Sequence, residues 1–192
     1  MIDVVIPVKN GERYIAKAIE SALAQKYLGK IIVVDDFSDD QTRCIVQALE
    51  ISDKRVTLVS PGKHIGLSAA RNLGAKSATA EWIAFLDADD TWDARKLEAQ
   101  WTHITKHHEC IACFVGARNL YLETGKVSEQ RLNPDNEGSL AKIVTGRFQL
   151  TGSASSIVIK TSVFQALNGF DESLKYAEDL DLWARLAARQ NI

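Results

Sequence analysis

The sequence predicts one α/β domain with a mostly parallel central sheet flanked by helices. Short apolar runs alternate with helical patterns through the first half of the chain, and this order builds such a sheet through right-handed crossovers. Residues 30–34 form a nearly continuous apolar run, which is typical of a strand buried on both faces. The 192 residues, 46% of them hydrophobic, suffice for one core. Because we find no internal repeat or linker, we expect a single domain over residues 1–192.

Four strands and three helices are expected in the first half of the chain. The strands are the apolar runs at residues 4–6, 30–34, 55–59 and 81–86. The first helix covers residues 12–25, whose apolar side chains repeat with the period of a helix: Ile15, Ala18, Ile19, Ala22 and Leu23. The second helix begins near Asp39 and Asp40, since acidic residues favour a helix start, and the third covers residues 68–78.

The second half of the chain is less regular. A helix that follows Asp90 carries three core-facing residues, Leu97, Trp101 and Ile104. The remaining expected elements are, in order, a strand (114–122), a hairpin turn (124–126), a polar loop (133–138), a strand (155–159), a short helix ending near Asn168 and Gly169, and a last helix (178–189). We expect Thr161 to cap the short helix.

Composition excludes several classes of protein. The formal charge is only −2, so no nucleic-acid partner is expected. The start of the chain has no signal-peptide pattern, and no stretch approaches the roughly 20 apolar residues of a membrane span, so we expect a cytoplasmic protein. Cys110 and Cys113 form a single pair, whereas a structural zinc site needs four ligands. We therefore expect buried thiols there.

Carboxylates follow two strands of the predicted sheet. Asp35 and Asp36 end the second strand, and Asp87 and Asp89 end the fourth. Ligands of open parallel sheets bind beyond the carboxyl ends of the strands, and these carboxylates would repel one another there without a cation. Mg²⁺ and Mn²⁺ prefer such oxygen ligands together with substrate phosphates. The pattern favours a divalent-ion and phosphate site, although helix caps and solvated turns use the same residues.

A phosphate group at this edge would need a positive side chain. The first turn contains only Gly11, so the Gly-x-Gly-x-x-Gly cradle of a dinucleotide site is absent, and so is a P-loop. Arg71 lies just inside a helix that begins near the same sheet edge, and it is the natural candidate. A surface arginine on that helix is the equally simple alternative.

A third acidic group begins the last predicted helix, at Glu178, Asp179 and Asp181. Acidic residues at a helix start are stabilised by the helix dipole alone, so each has an ordinary structural explanation. The functional alternative is a general base that accepts the proton of an attacking hydroxyl. A weak base of this kind suffices where the leaving group departs easily.

Taken together, these segments resemble the inverting family-2 glycosyltransferases, which have the GT-A fold. The resemblance is carried by five segments in the family's order: residues 4–11, 33–40, 66–72, 85–90 and 169–183. They contain an opening strand that ends Pro7-Val8-Lys9-Asn10-Gly11, a Val-Asp-Asp segment, a Gly-Leu-Ser-Ala-Ala-Arg-Asn stretch, an Asp-Ala-Asp strand end, and an acceptor-side Glu-Asp-Leu-Asp-Leu-Trp. Each motif alone is weak, whereas five in order are specific.

The resemblance implies a role for each matching residue on the donor side. Asp36 would hydrogen-bond a uracil-type base, and Pro7 and Val8 would line the pocket of that base. Arg71 would lie near the donor diphosphate. Asp87 would contact the ribose or the sugar and take part in the metal site, where Asp89 would ligate Mn²⁺ or Mg²⁺.

On the acceptor side, the resemblance implies that Asp179 is the base of a single-displacement, inverting transfer. Glu178 and Trp183 would border the acceptor, a saccharide or lipid-linked hydroxyl compound, in polysaccharide or glycoconjugate biosynthesis. Family members usually continue beyond residue 192, so we expect a chain truncated at its C-terminus, with peripheral membrane association through the missing segments.

Two alternatives and one departure accompany this expectation. A nucleotidyltransferase shares the architecture and the acidic metal site, but it would need a glycine-rich, basic first turn. A non-catalytic nucleotide-sugar-binding module is the other alternative. Phe37 replaces the glycine that is usual in the Val-Asp-Asp segment, which puts the geometry of that turn in question.

Overall fold

The computed structural model describes residues 1–121, 124–130 and 153–188. The polar loop expected at residues 133–138 lies outside these ranges. Eight strands are described: β1 (Ile2–Val8), β2 (Leu28–Asp35), β3 (Val56–Val59), β4 (Trp82–Phe85), β5 (Ala112–Cys113), β6 (Ala117–Tyr121), β7 (Lys126–Gln130) and β8 (Val158–Lys160). Six α-helices accompany them: α1 (Ile15–Leu23), α2 (Thr42–Ser52), α3 (Leu67–Ser77), α4 (Lys96–Lys106), α5 (Thr161–Ala166) and α6 (Glu178–Ala187).

The main sheet has six strands in the order β3-β2-β1-β4-β8-β5. β1, β2, β3 and β4 pair in parallel, whereas β8 is antiparallel to both β4 and β5. The expected mostly parallel sheet is therefore confirmed. β6 and β7 form a separate antiparallel hairpin, in which Tyr121 pairs with Lys126 around the expected turn.

Helices cover both faces of the sheet because the buried strands present apolar side chains to each side. In β1, Ile2, Val4, Ile6 and Val8 belong to one core cluster, and Val5 belongs to the other. The first cluster packs against α1, α2 and α4, and the second against α3, α5 and α6. This is the layer arrangement expected of strands that alternate with helices.

Helix α1 begins three residues later than expected, at Ile15 instead of Glu12. The backbone of residues 11–14 forms a turn, in which the Gly11 carbonyl accepts from the amides of Tyr14 and Ile15. The amide of Glu12 donates to the carboxylate of Asp40, far along the chain. Tertiary hydrogen bonds thus replace the first helical turn.

The strand expected at residues 155–159 is shorter than its apolar pattern suggested. Residues Ala154–Ser156 form a 3-10 helix, and only Val158–Lys160 pair in the sheet. Thr161 is the first residue of α5 and does not cap it, so that expectation is wrong. Its hydroxyl donates instead to the Ala80 carbonyl (2.7 Å), which ties α5 to the loop before β4.

The two cysteines lie beside the edge strand β5. The thiols of Cys110 and Cys113 are partly buried, and each donates to a nearby backbone carbonyl. Burial raises the pKa of Cys113 to about 12 and also raises the pKa of Cys110, so both stay protonated. The expectation of buried thiols is met in part, since both side chains are half-buried.

The strand order places a crevice at the ends of β1 and β4. The chain runs from β1 outward through β2 to β3, and then returns to add β4 on the other side of β1. A reversal of this kind separates the loops that follow the two central strands, and ligands of open α/β sheets bind there.

Among the described helices, none is long and apolar enough to cross a membrane.

Candidate active site

The loops that follow β1 and β2 are joined side by side at this edge. Five hydrogen bonds connect them: Asn10 N to Ser38 Oγ (2.9 Å), Gly11 N to Thr42 Oγ1 (2.8 Å), Glu12 N to Asp40 Oδ2 (3.1 Å), Asp39 N to Asn10 Oδ1 (3.0 Å) and Gln41 N to Glu12 Oε2 (3.0 Å). Short polar side chains on each loop thus satisfy backbone amides of the other. We call these two segments, residues 9–12 and 36–42, the paired loops.

Asp36 lies in the second of the paired loops and is 4% exposed. Its Oδ1 accepts from the Ile65 amide (2.7 Å), and its Oδ2 accepts from the Gly66 amide (2.9 Å). His64 Nδ1 also lies 2.7 Å from Oδ2. Because each carboxylate oxygen has two lone pairs, one acceptor position on Oδ1 is left over.

Pro7 and Val8 are the last residues of β1, beside the first of the paired loops. Both are buried, and they pair with Val34 and Asp35 of β2. The Val8 carbonyl accepts from the Asp36 amide at 2.8 Å. Pro7 and Val8 therefore lie next to Asp36 in the sheet. Their contact with the nucleotide base stays a prediction.

Phe37 adopts a left-handed backbone conformation with φ of +66°. The turn is therefore of the kind that favours glycine, even though the residue is bulky. The ring is 58% exposed, which lets the strained backbone persist without a clash in the core. The sequence left the geometry of this turn open, and the structure keeps the glycine-type turn.

We expect Phe37→Gly to be more stable than Phe37→Ala. Both variants remove the exposed ring, but only glycine relieves the left-handed strain, which is worth about 1 kcal/mol for a residue with a Cβ atom. Urea unfolding of the two variants measures this difference. Equal free energies of unfolding would contradict a strained turn.

Arg71, on α3, is buried between two carboxylates. Its Nη2 donates to Asp87 Oδ1 at 2.6 Å and its Nη1 to Glu178 Oε1 at 2.8 Å, while the guanidinium lies 5.0 Å from the centre of the Phe170 ring. Only 3% of Arg71 is exposed, so the surface-arginine alternative is wrong. Burial alone would lower the pKa of Arg71, but Asp87 and Glu178 outweigh it and raise that pKa. We call Arg71, Asp87 and Glu178 the Arg71 triad.

Asp87 is held from two sides at the end of β4. Besides Arg71, its carboxylate accepts from the Ser153 hydroxyl (3.1 Å), and its amide donates to Ser155 Oγ (2.9 Å). The same two serines donate to Asp90 Oδ2, at 3.3 Å from Ser153 and 2.6 Å from Ser155. Burial, together with the charges of Asp87 and Asp89, raises the pKa of Asp90 against these hydrogen bonds.

The turn at residues 153–156, which carries these serines, is held in place by side chains of α4 and of the loop before α4. Trp92 Nε1 donates to the Ser155 carbonyl (2.9 Å), and Gln100 Nε2 donates to the Ser156 carbonyl (3.0 Å). Lys96 is buried against the Trp92 ring, 4.0 Å from its centre, and donates to Gln100. Burial lowers the pKa of Lys96 to about 7. These contacts fix the position of Ser155, and Ser155 in turn holds the amide of Asp87 at the end of β4.

Asp89 is exposed, and among the described residues no hydrogen bond reaches its carboxylate. Within the same residues, no group of three metal-ligating side chains is assembled. The donor set still fits a Mg²⁺ or Mn²⁺ ion, because such ions take one or two carboxylates and complete their shell with phosphate and water. Asp89 offers a free carboxylate, and Asp87 has already been partly neutralised by Arg71.

The acceptor-side carboxylates begin α6 after an unusual residue. Ala177 has φ of +59°, so the helix starts from a left-handed alanine without a side-chain cap. Glu178 turns inward to Arg71, whereas Asp179 is partly exposed and, within the described part of the chain, accepts only from the neighbouring Leu180 amide (2.8 Å). Asp181 pairs with Arg185 on the same helix. The three carboxylates thus differ: one binds Arg71, one binds Arg185, and Asp179 has no ion pair with any residue that the structure describes.

Trp183 is completely buried, with Phe114 packed edge-on at 4.9 Å. Because the ring is completely buried in the structure, its contact with an acceptor stays a prediction. Asn72, a buried residue of α3, also holds the acceptor side of the site. Its amide group exchanges hydrogen bonds with the backbone of Phe170 and donates to Glu172, which fixes the segment leading to α6.

Sequence reasoning missed the residues that support the Asp-Ala-Asp strand end. They are Asp90, Trp92, Lys96, Gln100, Ser153 and Ser155. The only available signals were the third carboxylate of the Asp87–Asp90 run and the closely spaced serines before β8. Neither signal says that the two segments meet.

Comparison with known proteins gives a consistent family assignment. The sequence model described as "Glycosyl transferase family 2" matches residues 3–164. An uncharacterized glycosyltransferase of Rickettsia prowazekii (strain Madrid E) is 34% identical over 188 residues, which cover 95% of this chain and 57% of the relative. The Escherichia coli enzyme UDP-Glc:alpha-D-GlcNAc-diphosphoundecaprenol beta-1,3-glucosyltransferase WfgD is 38% identical over 109 residues, 56% of this chain and 42% of the enzyme.

Among solved structures, TarS of S. aureus (residues 1–349) has the same fold. The TM-score is 0.78 at 25% identity, and the match covers 97% of this chain and 55% of the TarS fragment. A second crystal structure of that fragment is a complex with UDP. The match confirms the GT-A fold expected from the sequence. The chain spans about half the length of the TarS fragment and 57% of the Rickettsia relative.

Proposed function

The chain belongs to glycosyl transferase family 2, and we propose that it transfers a sugar from a UDP-linked donor to an acceptor hydroxyl with inversion. One observation carries this proposal: the Arg71 triad joins the Asp-Ala-Asp strand end to the helix that carries Asp179. Arg71 thereby binds Asp87, at the proposed metal and diphosphate site, and Glu178, the residue directly before the proposed base Asp179. The family match favours glycosyl transfer over nucleotidyl transfer.

The donor's base is proposed to bind at Asp36. The acceptor position left on Asp36 Oδ1 suits the imide N–H of uracil, which is a single donor. Pro7 and Val8, immediately behind Asp36, would supply the apolar side of that pocket. The UDP complex of the TarS fragment supports a uridine nucleotide, since TarS shares the fold and 25% of the aligned sequence.

Asp89 is proposed to hold a divalent ion, with Asp87 adjacent to it and to the ribose or sugar. When bound, Mn²⁺ or Mg²⁺ would act as a Lewis acid that neutralises the leaving nucleoside diphosphate. Arg71 would lie near this diphosphate, as the resemblance implies, and would also orient Asp87. Both of its Nη groups donate to carboxylates, one of which is Asp87.

Transfer is proposed as one displacement. The acceptor oxygen forms a bond to the anomeric carbon while the bond from that carbon to the diphosphate oxygen breaks, and the bonding electrons leave with the diphosphate. Asp179 accepts the hydroxyl proton as the attack proceeds. Attack from the face opposite the leaving group inverts the anomeric configuration.

The acceptor is proposed to be a saccharide or a lipid-linked saccharide in polysaccharide or glycoconjugate synthesis. The name of the E. coli relative gives a diphosphoundecaprenol-linked sugar as its acceptor, and that relative is 38% identical over the matched segment.

The reaction type is tested by product analysis. The protein is incubated with uridine and guanosine diphosphate sugars in the presence of Mn²⁺ and with a mixture of saccharide acceptors. We expect release of UDP from uridine donors. Release of pyrophosphate in a parallel incubation with nucleoside triphosphates and sugar 1-phosphates would instead indicate nucleotidyl transfer. Tight UDP binding without any turnover would indicate a binding module.

Asp89→Asn is expected to weaken Mn²⁺-dependent UDP binding by at least about tenfold, the loss that even outer-shell partners cause at metal sites. The amide keeps the shape of the side chain and removes its charge. Titration calorimetry with and without Mn²⁺ measures the effect. Asp93→Asn, which changes an exposed carboxylate four residues further along, is the matched control. An unchanged Mn²⁺-dependent affinity in Asp89→Asn would remove this residue from the metal site.

A further inference from the structure

The Arg71 triad places two carboxylates from opposite sides of the site on one guanidinium. Asp87 ends β4 on the donor side and Glu178 begins α6 on the acceptor side, 16 and 107 positions from Arg71 in the sequence. The side chains of Asp87 and Glu178 are 25% and 14% exposed, so water screens them only in part. Three charged groups with a net charge of about −1 therefore share one small, poorly solvated space.

The guanidinium has few other anchors. Arg71 Nε is buried and has no hydrogen-bond partner among the described residues, and the Phe170 ring covers one face. The position of Arg71 thus depends on the two carboxylates. If one of them loses negative charge or takes another partner, the attraction of Arg71 shifts to the other.

We infer that Arg71 couples the two sides of the site: a divalent ion that engages Asp87 strengthens the hold of Arg71 on Glu178, and a metal-free nucleotide, which attracts Arg71 to itself, weakens that hold. This inference rests on the proposed function, because it takes Asp87 as part of the donor site. An ion on Asp87 leaves Arg71 to Glu178, which fixes the start of α6 and the adjacent Asp179. Linkage requires equally large reverse effects, so the charge of Glu178 strengthens binding of the ion and weakens binding of the metal-free nucleotide.

Glu178→Gln tests the coupling because glutamine keeps an oxygen that accepts from Arg71 Nη1 and removes only the charge. The donor side becomes one unit less negative. UDP without divalent ions should then bind more tightly and Mn²⁺ alone more weakly, each by about three- to tenfold at low ionic strength. Titration calorimetry of the whole chain with UDP in chelator, and separately with Mn²⁺, measures both changes without requiring turnover.

Asp181→Asn is the matched control, since it removes the same charge three residues further along α6. Asp181 forms a half-buried pair with Arg185 on the same helix and does not contact the Arg71 triad, so its loss should change either affinity by less than about twofold. Opposite changes in Glu178→Gln, absent in Asp181→Asn, support the coupling. A loss of both affinities in Glu178→Gln would mean that Glu178 only maintains the fold, and this would overturn the inference.

The outcomes also separate the inference from the function on which it rests. If the wild-type chain binds UDP and Mn²⁺ but Glu178→Gln behaves like it, the coupling is overturned and the donor site stands. If the wild-type chain binds neither ligand, the proposed donor site is wrong, and the inference is overturned with it.

Discussion

Replacement of Asp179 by asparagine is expected to lower sugar transfer by roughly several hundred-fold, within the ~10²–10⁴-fold that loss of a general base causes. Asp179 is the one carboxylate at the start of α6 without an ion pair among the described residues. Asparagine keeps the side-chain oxygen that accepts from Leu180 but cannot take a proton at neutral pH. UDP affinity should therefore be unchanged.

Steady-state kinetics with a matched acceptor, together with UDP calorimetry, checks both parts of this prediction. Asp181→Asn is the control, because it removes an equal charge from the same helix and leaves Asp179 intact. Normal turnover in Asp179→Asn would exclude this residue from the mechanism. A parallel loss of UDP affinity would show that the substitution disturbs the site as a whole.

Replacement of Arg71 by methionine is expected to have the largest effect on stability. It leaves Asp87 and Glu178 close together without their shared positive charge, and breaking a mostly buried ion pair in this way costs about 2–4 kcal/mol. UDP and Mn²⁺ binding should also change, because Asp87 loses the contact that orients it.

Chemical unfolding measures the stability loss, with Arg55→Met as the control. Arg55 pairs with Asp53 at the surface, so its replacement should change stability little. Adding Asp87→Asn and Glu178→Gln to Arg71→Met should restore part of the lost stability, since the repelling charges are then gone. If Arg71→Met is as stable as the wild type, the triad does not contribute to the fold.

The sheet and its helices were predictable because their signals are local. The run at residues 30–34 and the apolar stripe of α1 each fixed an element type before any tertiary contact was known. Boundaries failed where tertiary hydrogen bonds replaced local ones. Glu12 gives its amide to Asp40, so α1 starts late, and Ser155 is drawn into a 3-10 helix by its contacts with Asp87 and Asp90.

The candidate site was predictable as a set of residues and much less as a set of contacts. The order of the motifs selected Asp36, Arg71, Asp87 and Asp179 and their edge of the sheet. The partners of Arg71 depend on how α3, β4 and α6 pack, which sequence spacing does not encode. For the same reason, the sequence placed Arg71 near the diphosphate but did not identify its two carboxylate partners.

The paired loops also bear on the energetics of ligand association. Their five cross-connections hold residues 9–12 and 36–42 in one arrangement before any nucleotide arrives. Binding there would then require little loss of backbone entropy, because folding has already ordered the segment. Nucleotide capture should accordingly be nearly rigid, with a small entropic penalty and a fast association rate.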